Sequence, residues 1–185
     1  EDFFPHHGLI NFLRNVFLHR SAENDGLHLH LGWECLWALL SHVETFSPAD
    51  IQAASGRDYY SRAINDGYTS TLGLAFLAIA STRENVKCSA EVEKTKVMIS
   101  HFIRHSAQSK LLTSAMVGAH FSTLLSIDRE WATHLTVELG CLKKWPNYLA
   151  FFLSHLIWDS HNRVTYRALK QYYRKSFNHQ SNEQL

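Results

Sequence analysis

The sequence has little of what disulfide-rich, β-rich or membrane-spanning proteins require. Its 185 residues include only 3 cysteines, 3 prolines and 8 glycines. An odd number of widely spaced cysteines argues against a disulfide framework and favours a reducing, cytoplasmic setting. So few glycines and prolines are uncommon in a β-rich chain, which needs many turns. The longest apolar stretch, near 72–80, is too short for the roughly 20 residues of a membrane helix.

The chain also lacks an excess of charge of either sign. Its formal net charge is +1 with the histidines neutral, which gives no reason to expect a protein built around nucleic acid or acidic lipid. Apolar residues make up 45% and charged residues 19%, the proportions of a folded globular chain. The N-terminus, Glu1-Asp2, has no initiator methionine and no basic signal region, so we expect a segment of a longer chain.

What the sequence does contain is helical periodicity along nearly its whole length. Apolar residues recur every three or four positions, and capping or turn residues separate these stretches. The predicted helices cover 9–18, 27–43, 59–64 with 69–80, 90–105, 111–125, 131–139, 147–158 and 163–177, and a capping sequence at 47–50 marks one more helix start. We expect a single all-helical domain over 1–178, followed by a polar tail over 179–185.

Helices of this kind must pair in order to bury their apolar faces. Two all-α architectures fit the pattern: stacked antiparallel helix pairs, as in HEAT-like α-solenoids, and a closed helical bundle. A loose spacing of about 40 residues per helix pair lies within the range of such repeats. We therefore expect the solenoid, with the bundle as the alternative.

The most charged short stretch, from Asp128 to Trp131, is either an active site or a joint between two helices. Residues two apart on a helix point about 200° from each other, so the carboxylates of Asp128 and Glu130 would not converge. Asp128 can instead cap a helix in which Glu130 occupies the first turn and Trp131 begins the buried face. We interpret Asp128, Arg129 and Trp131 as a structural helix joint.

Two histidines, His101 and His105, are spaced so that they share one helix face, as some zinc ligands do. The metalloprotease pattern also needs a glutamate directly after the first histidine, where this chain has Phe102. A third ligand of known spacing is absent too. The pair keeps open an alternative function, a histidine-rich metal-binding protein or enzyme. No nucleophile elbow or glycine-rich phosphate loop is present, so we expect no catalytic residue and no cofactor.

The last predicted helix carries a basic stripe of four cations at helical spacing: Arg163, Arg167, Lys170 and Arg174. Beside it runs an aromatic and apolar stripe: Tyr166, Leu169, Tyr173 and Phe177. Cations on phosphates and aromatics stacked on bases could bind RNA or DNA, which is a second alternative function. Because the overall charge is near neutral, we favour contact with a protein partner.

Four segments, in order, resemble helices of large bacterial helical-repeat proteins. "RAINDGYTSTLGLAFLAIA" (62–80) is similar to a helix whose usual form is close to "AINSVRGRALEALL", and "SAMVGAHFSTLLSIDREW" (114–131) to one that leads to "LDREW". "KKWPNYLAFFLSH" (143–155) resembles the tryptophan-led helix that follows, and "LKQYYRKSF" (169–177) the closing "LRPxYxxAI". The resemblance covers 59–179, with "DREW" as its best element. The first helix departs from the pattern, because its characteristic arginine is missing.

Such segments occur in the C-terminal parts of large multidomain proteins linked to bacterial anti-phage defence. The N-terminal parts of those proteins often carry a sirtuin-type NAD-cleaving domain or a nucleotide-binding ATPase. The resemblance implies a non-catalytic, HEAT-like region that senses a trigger or holds an assembly together while chemistry happens elsewhere. It implies a protein partner: a phage protein, a neighbouring domain or another subunit. The basic stripe is then the expected contact surface.

Overall fold

A computed structural model describes residues 4–18, 26–42, 63, 67–85, 88–105, 110–159 and 163–174. In these ranges the chain is helical and contains no strand, which confirms the all-α class. The helices are α1 (Phe4–Leu18), α2 (Gly26–His42), α3 (Gly67–Thr82), α4 (Ser89–His105), α5 (Lys110–Ala119), α6 (Phe121–Ile127), α7 (Arg129–Glu138), α8 (Trp145–Trp158) and α9 (Arg163–Ala168). Residues 170–174 are also helical. The helix start predicted at 47–50 and the segment 59–62 lie outside the described residues.

Two predicted helices are interrupted. The helix expected over 111–125 breaks at His120, whose φ of −112° and ψ of 11° separate α5 from α6. The last helix, expected over 163–177, stops at Ala168 and resumes after a turn at Leu169; residues beyond 174 lie outside the description. Both breaks fall inside regular apolar periodicity, so the local pattern did not reveal them.

The helix α3 lies at the centre of the packing. It contacts α1, α2, α4, α5 and α6. Its sequence is apolar on nearly every side, as expected of a helix that is covered on more than one face. Leu72, Phe76 and Ile79 are fully buried within it. The segment with the longest apolar stretch is therefore a core helix, and no helix in the described ranges is long and apolar enough to cross a membrane.

The helices α5 and α8 approach each other very closely. Gly118 of α5 faces the backbone of Phe151 in α8, and a Cβ atom at Gly118 would overlap the Phe151 carbonyl group. Phe121, just after the break, packs edge-to-face on Phe151 with ring centroids 5.2 Å apart. The lack of a side chain at Gly118 is what permits this distance between the two helices. This contact sets the position of α8 and of the segment that follows it.

Candidate functional site

Asp128 lies between α6 and α7, where it is the C-cap of α6 and the N-cap of α7. Its backbone N–H donates to the Leu124 carbonyl oxygen at 2.9 Å, and its Oδ1 accepts from the Trp131 backbone N–H at 3.0 Å. That second bond makes Asp128 the N-cap of α7. Arg129 and Glu130 are exposed on the first turn of α7. The stretch therefore joins two helices, with Asp128 as the residue between them.

The joint also fastens α7 to α4. Lys96 Nζ donates to Asp128 Oδ2 at 3.0 Å, and Trp131 Nε1 donates to Ser100 Oγ at 3.1 Å. The backbone N–H of Trp131 and the ammonium group of Lys96 together hold the pKa of Asp128 below its ordinary value. Burial opposes the charged form of Lys96, but its hydrogen bonds to Glu93 and Asp128 outweigh burial and raise its pKa. Lys96 was missed in the sequence because 32 residues separate it from Asp128.

The two histidines considered as metal ligands lie on α4. His101 is exposed, and the side chain of His105 lies outside the described residues. Among the side chains that the structure describes, no three His, Cys, Asp or Glu residues come together as a metal site. Within the described residues, His101 is therefore not part of a three-residue metal site.

The basic stripe lies on the surface. All four of its cations are exposed, on α9 and on the helical residues 170–174. The buried residues of this segment are Thr165, Leu169 and Tyr172. Of the aromatic and apolar stripe named from the sequence, Leu169 is buried and Tyr166 is 55% exposed, while the buried Tyr172 was not part of it. The buried positions 165, 169 and 172 are four and three residues apart, so they follow one helical spacing across the turn at Leu169.

A buried polar cluster anchors this segment, and sequence reasoning missed it. His155 and Asp159 have side chains only 1% and 4% exposed, and His155 Nδ1 lies 2.9 Å from Asp159 Oδ2. The same carboxylate oxygen accepts from the Ser122 backbone N–H at 2.7 Å and from Ser122 Oγ at 2.9 Å. Ser122 Oγ also lies 3.0 Å from Thr165 Oγ1. The cluster thus links α8, α6 and α9.

The order of the groups in this cluster determines what it can do. The carboxylate of Asp159 stands between His155 and Ser122, so one of its oxygens contacts the imidazole on one side and the serine hydroxyl on the other. Activation of a serine nucleophile needs the imidazole beside the hydroxyl, with the carboxylate behind it. Here the hydroxyl instead completes a chain of hydrogen bonds to Thr165. The arrangement suits fixing three helices and does not suit acyl transfer.

His120 lies at the helix break beside this cluster. Its ring packs near Phe76 of α3, with centroids 5.9 Å apart. Burial lowers the pKa of His120; the negative charge of Asp159 opposes that shift and the positive charge of Arg14 adds to it. The imidazole is therefore held toward its neutral form.

Comparison of this chain with protein-family models, with curated proteins and with solved structures gives no match in any of the three.

Proposed function

We propose that this chain is a non-catalytic helical interaction region that binds a protein partner through the basic stripe. The observation that carries the proposal is the division of its last segment into two faces. Arg163, Arg167, Lys170 and Arg174 are all exposed, whereas Thr165, Leu169 and Tyr172 are buried. Because the buried face is packed on the rest of the protein, the four cations are held at the surface and remain available to a partner.

The charge of this segment favours an acidic partner. Residues 160–174 contain no Asp or Glu, and the adjacent Asp159 is buried among its hydrogen-bond partners. The positive charge of the stripe is therefore not neutralised from within the segment, although the whole chain carries a net charge of only +1. Complementary charge steers association and selects among partners.

We further infer that the helices form stacked pairs in the manner of a HEAT-like solenoid. One row of contacts runs from α1 to α3, from α3 to α5 and α6, and from α5 to α8. A second row runs from α2 to α4 and from α4 to α7. Contacts between successive pairs are what a solenoid requires, and they support this proposal over a closed bundle. The resemblance to anti-phage defence proteins supplies its proposed cellular setting, the bacterial cytoplasm.

A pair of matched charge reversals tests the interaction. The first variant carries Arg167→Glu and Lys170→Glu in the stripe, and the control carries Lys143→Glu and Lys144→Glu, two exposed lysines before α8. Both change the net charge equally. The natural polypeptide, purified from its source cells with each change, is examined for co-purifying proteins. We expect the stripe variant to bind its partner about tenfold more weakly or worse, a loss of roughly 1.4 kcal/mol in binding free energy. The control should keep its affinity for the partner.

Two controls make the result decisive. Helical circular dichroism and thermal unfolding should be the same for both variants, since all four residues are exposed. Nuclease treatment before purification separates protein binding from capture through RNA or DNA. Undiminished partner recovery by the stripe variant contradicts the proposal, and a partner lost on nuclease treatment favours nucleic acid binding instead.

The defence setting has a separate test. The chromosomal copy is replaced by each of the two variants, and phage plating is compared with that on the unmodified cells. We expect more plaques with the stripe variant than with the lysine control. If deletion of the whole gene changes the plating of none of the phages that infect this host, the defence setting is wrong.

A further inference from the structure

The basic stripe is one straight row of charge. The backbone N–H groups of Leu169 and Tyr173 each donate to the carbonyl oxygen four residues earlier, at 2.9 and 3.1 Å, so the helical path continues past the end of α9 to Arg174. Around this path the cations at 163, 167, 170 and 174 fall within about 60° of one another. The buried residues lie on the opposite side: Thr165, Leu169 and Tyr172. The row is therefore about 16 Å long and faces away from the protein.

Two contacts hold the segment that carries the stripe against α6 and α8. At its beginning, Ser122 Oγ of α6 lies 3.0 Å from Thr165 Oγ1 and donates to Asp159 Oδ2 at 2.9 Å. Near its end, the buried Tyr148 of α8 donates its hydroxyl to the Tyr172 carbonyl oxygen at 2.8 Å, and the two rings stack with centroids 6.1 Å apart. Thr165 and Tyr172 are about two helical turns apart, so the segment is fixed at two points beneath the stripe.

We infer that these two contacts make the stripe selective for the spacing of the charges on its partner, and that the partner presents carboxylates in one row at the spacing of a helix face. This inference rests on the proposed function and specifies the partner's chemistry. A surface that is fixed before binding loses little conformational freedom on binding, so it favours a ligand whose groups already stand opposite its own. Ser122 and Tyr148 are positioning residues in this scheme, since they affect the partner only through the stripe.

The spacing of the cations favours acidic groups on a helix over those on an extended chain. Successive cations are three or four residues apart, which places them about 4.5–6 Å apart along the helix axis. Acidic residues at the same intervals on a second helix repeat these distances. Side chains on one face of an extended chain recur about every 6.6 Å, so over three intervals the mismatch grows to about 3 Å. The last pair then forms only if the flexible stems bend toward each other, at a cost in side-chain entropy.

Two synthetic peptides of identical composition test the inference on the full chain. Each is an alanine-rich helix of about five turns with four glutamates. In the row peptide the glutamates stand at positions i, i+4, i+7 and i+11, and in the scattered peptide they are distributed around the helix. Binding is measured by fluorescence anisotropy at low salt. We expect the row peptide to bind about fivefold more tightly or better, since the scattered peptide can bring only part of its charge to the stripe.

Variants of the two contacts test the positioning role. The double variant Ser122→Ala with Tyr148→Phe removes both hydroxyls and no charge. Its ratio of the two affinities should fall below about twofold, because cations on a loosened segment adapt to either peptide. The matched control, Ser126→Ala with Tyr166→Phe, removes the same kinds of hydroxyl at exposed positions and should keep the wild-type ratio. Amide hydrogen exchange over 163–174 should become faster in the first double variant only.

The outcomes separate this inference from the proposed function. Equal binding of the two peptides by the wild type, or binding of neither, overturns the carboxylate row, and so does tighter binding to single-stranded RNA than to the row peptide. A wild-type ratio in the first double variant, or a lost ratio in the control, overturns the positioning role. If the first double variant does not fold, Tyr148→Phe, which keeps the ring, decides alone. The proposed protein contact fails on a different result, namely undiminished recovery of the natural partner after Arg167→Glu and Lys170→Glu.

Discussion

His155 and Asp159 face each other one turn apart at the end of α8, with Nδ1 and Oδ2 separated by 2.9 Å in a place almost closed to solvent. The same oxygen of Asp159 receives two hydrogen bonds from Ser122, at the start of α6. One carboxylate oxygen thus fixes the end of one helix to the beginning of another. Through Thr165, this anchor reaches the segment that carries the basic stripe.

Replacement of the anchor carboxylate should loosen that segment. Asp159→Ala removes the oxygen that accepts both hydrogen bonds of Ser122 and contacts His155 Nδ1. Breaking a buried pair in this way is expected to lower the free energy of unfolding by about 2–4 kcal/mol. Urea unfolding measures the loss, and amide hydrogen exchange over 163–174 should become faster. Glu130→Ala, at an exposed carboxylate, should stay within about 0.5 kcal/mol of the wild type. If the unfolding free energies of the Asp159 and Glu130 variants differ by less than about 0.5 kcal/mol, the buried contacts of Asp159 do not stabilise the protein as proposed.

The contact between α5 and α8 should not accept even one methyl group. In Gly118→Ala the new Cβ overlaps the backbone of Phe151, so one of the two helices has to move, and we expect a loss of about 3 kcal/mol in unfolding free energy. Gly8→Ala in α1 is the matched control, since nothing lies within 4 Å of its Cβ. There the higher helix propensity of alanine should stabilise the protein by about 0.5–1 kcal/mol. A lower unfolding temperature for Gly118→Ala together with a higher one for Gly8→Ala would support the close packing. If both substitutions raise the unfolding temperature, the close packing is contradicted.

Asp128 should stabilise the protein in two ways, as the cap of α7 and through its negative charge. Asp128→Ala removes both the cap and the charge, and loss of the cap is expected to lower the unfolding free energy by about 1 kcal/mol. Asp128→Asn keeps an oxygen for the Trp131 N–H and loses only the charge that faces Lys96. Because folding lowers the pKa of Asp128, the charge contributes stability above its ordinary value of 3.8, and this stability is lost as the pH falls through the folded pKa.

The wild type should therefore lose its advantage over Asp128→Asn as the pH is lowered through the ordinary value of 3.8 and below it. Chemical unfolding of both proteins across that range measures the difference. If the difference in unfolding free energy between the wild type and Asp128→Asn stays constant down to the lowest pH at which both fold, the charge of Asp128 contributes nothing to stability.

His120 should make stability depend on pH in a different range. Burial lowers its pKa, so as the pH falls below the ordinary value of 6.5 the unfolded chain takes up a proton before the folded protein does. Stability conferred by the neutral ring is thus present above pH 6.5 and declines below it, until the pH passes the folded pKa. His120→Gln should flatten this part of the unfolding profile. An unfolding profile of His120→Gln that has the same slope as that of the wild type would contradict this role of His120.

The helices and the joint at Asp128 could be predicted because their causes are local. A cap needs a carboxylate and an N–H three residues later, and both are visible in "DREW". The burial of α3 also follows from composition, since its apolar residues leave no polar face. The break at His120 and the turn at Leu169 were missed because they interrupt segments whose periodicity continues on both sides. The sequence also did not single out Tyr172, which is buried, whereas Tyr166 of the aromatic and apolar stripe is exposed.

By itself, the sequence determined the helical class, the places where most helices begin and end, and the four cations that share the last segment. These depend on interactions within four or five residues, which periodicity and capping express directly. Only the tertiary structure decided that Ser122 meets Asp159 across 37 residues, that Lys96 meets Asp128 across 32, and that Gly118 faces Phe151. Such contacts depend on how the helices cross, and side-chain volume and backbone clearance set the crossing. The anchor beneath the basic stripe therefore appears only when α6, α8 and α9 are packed together.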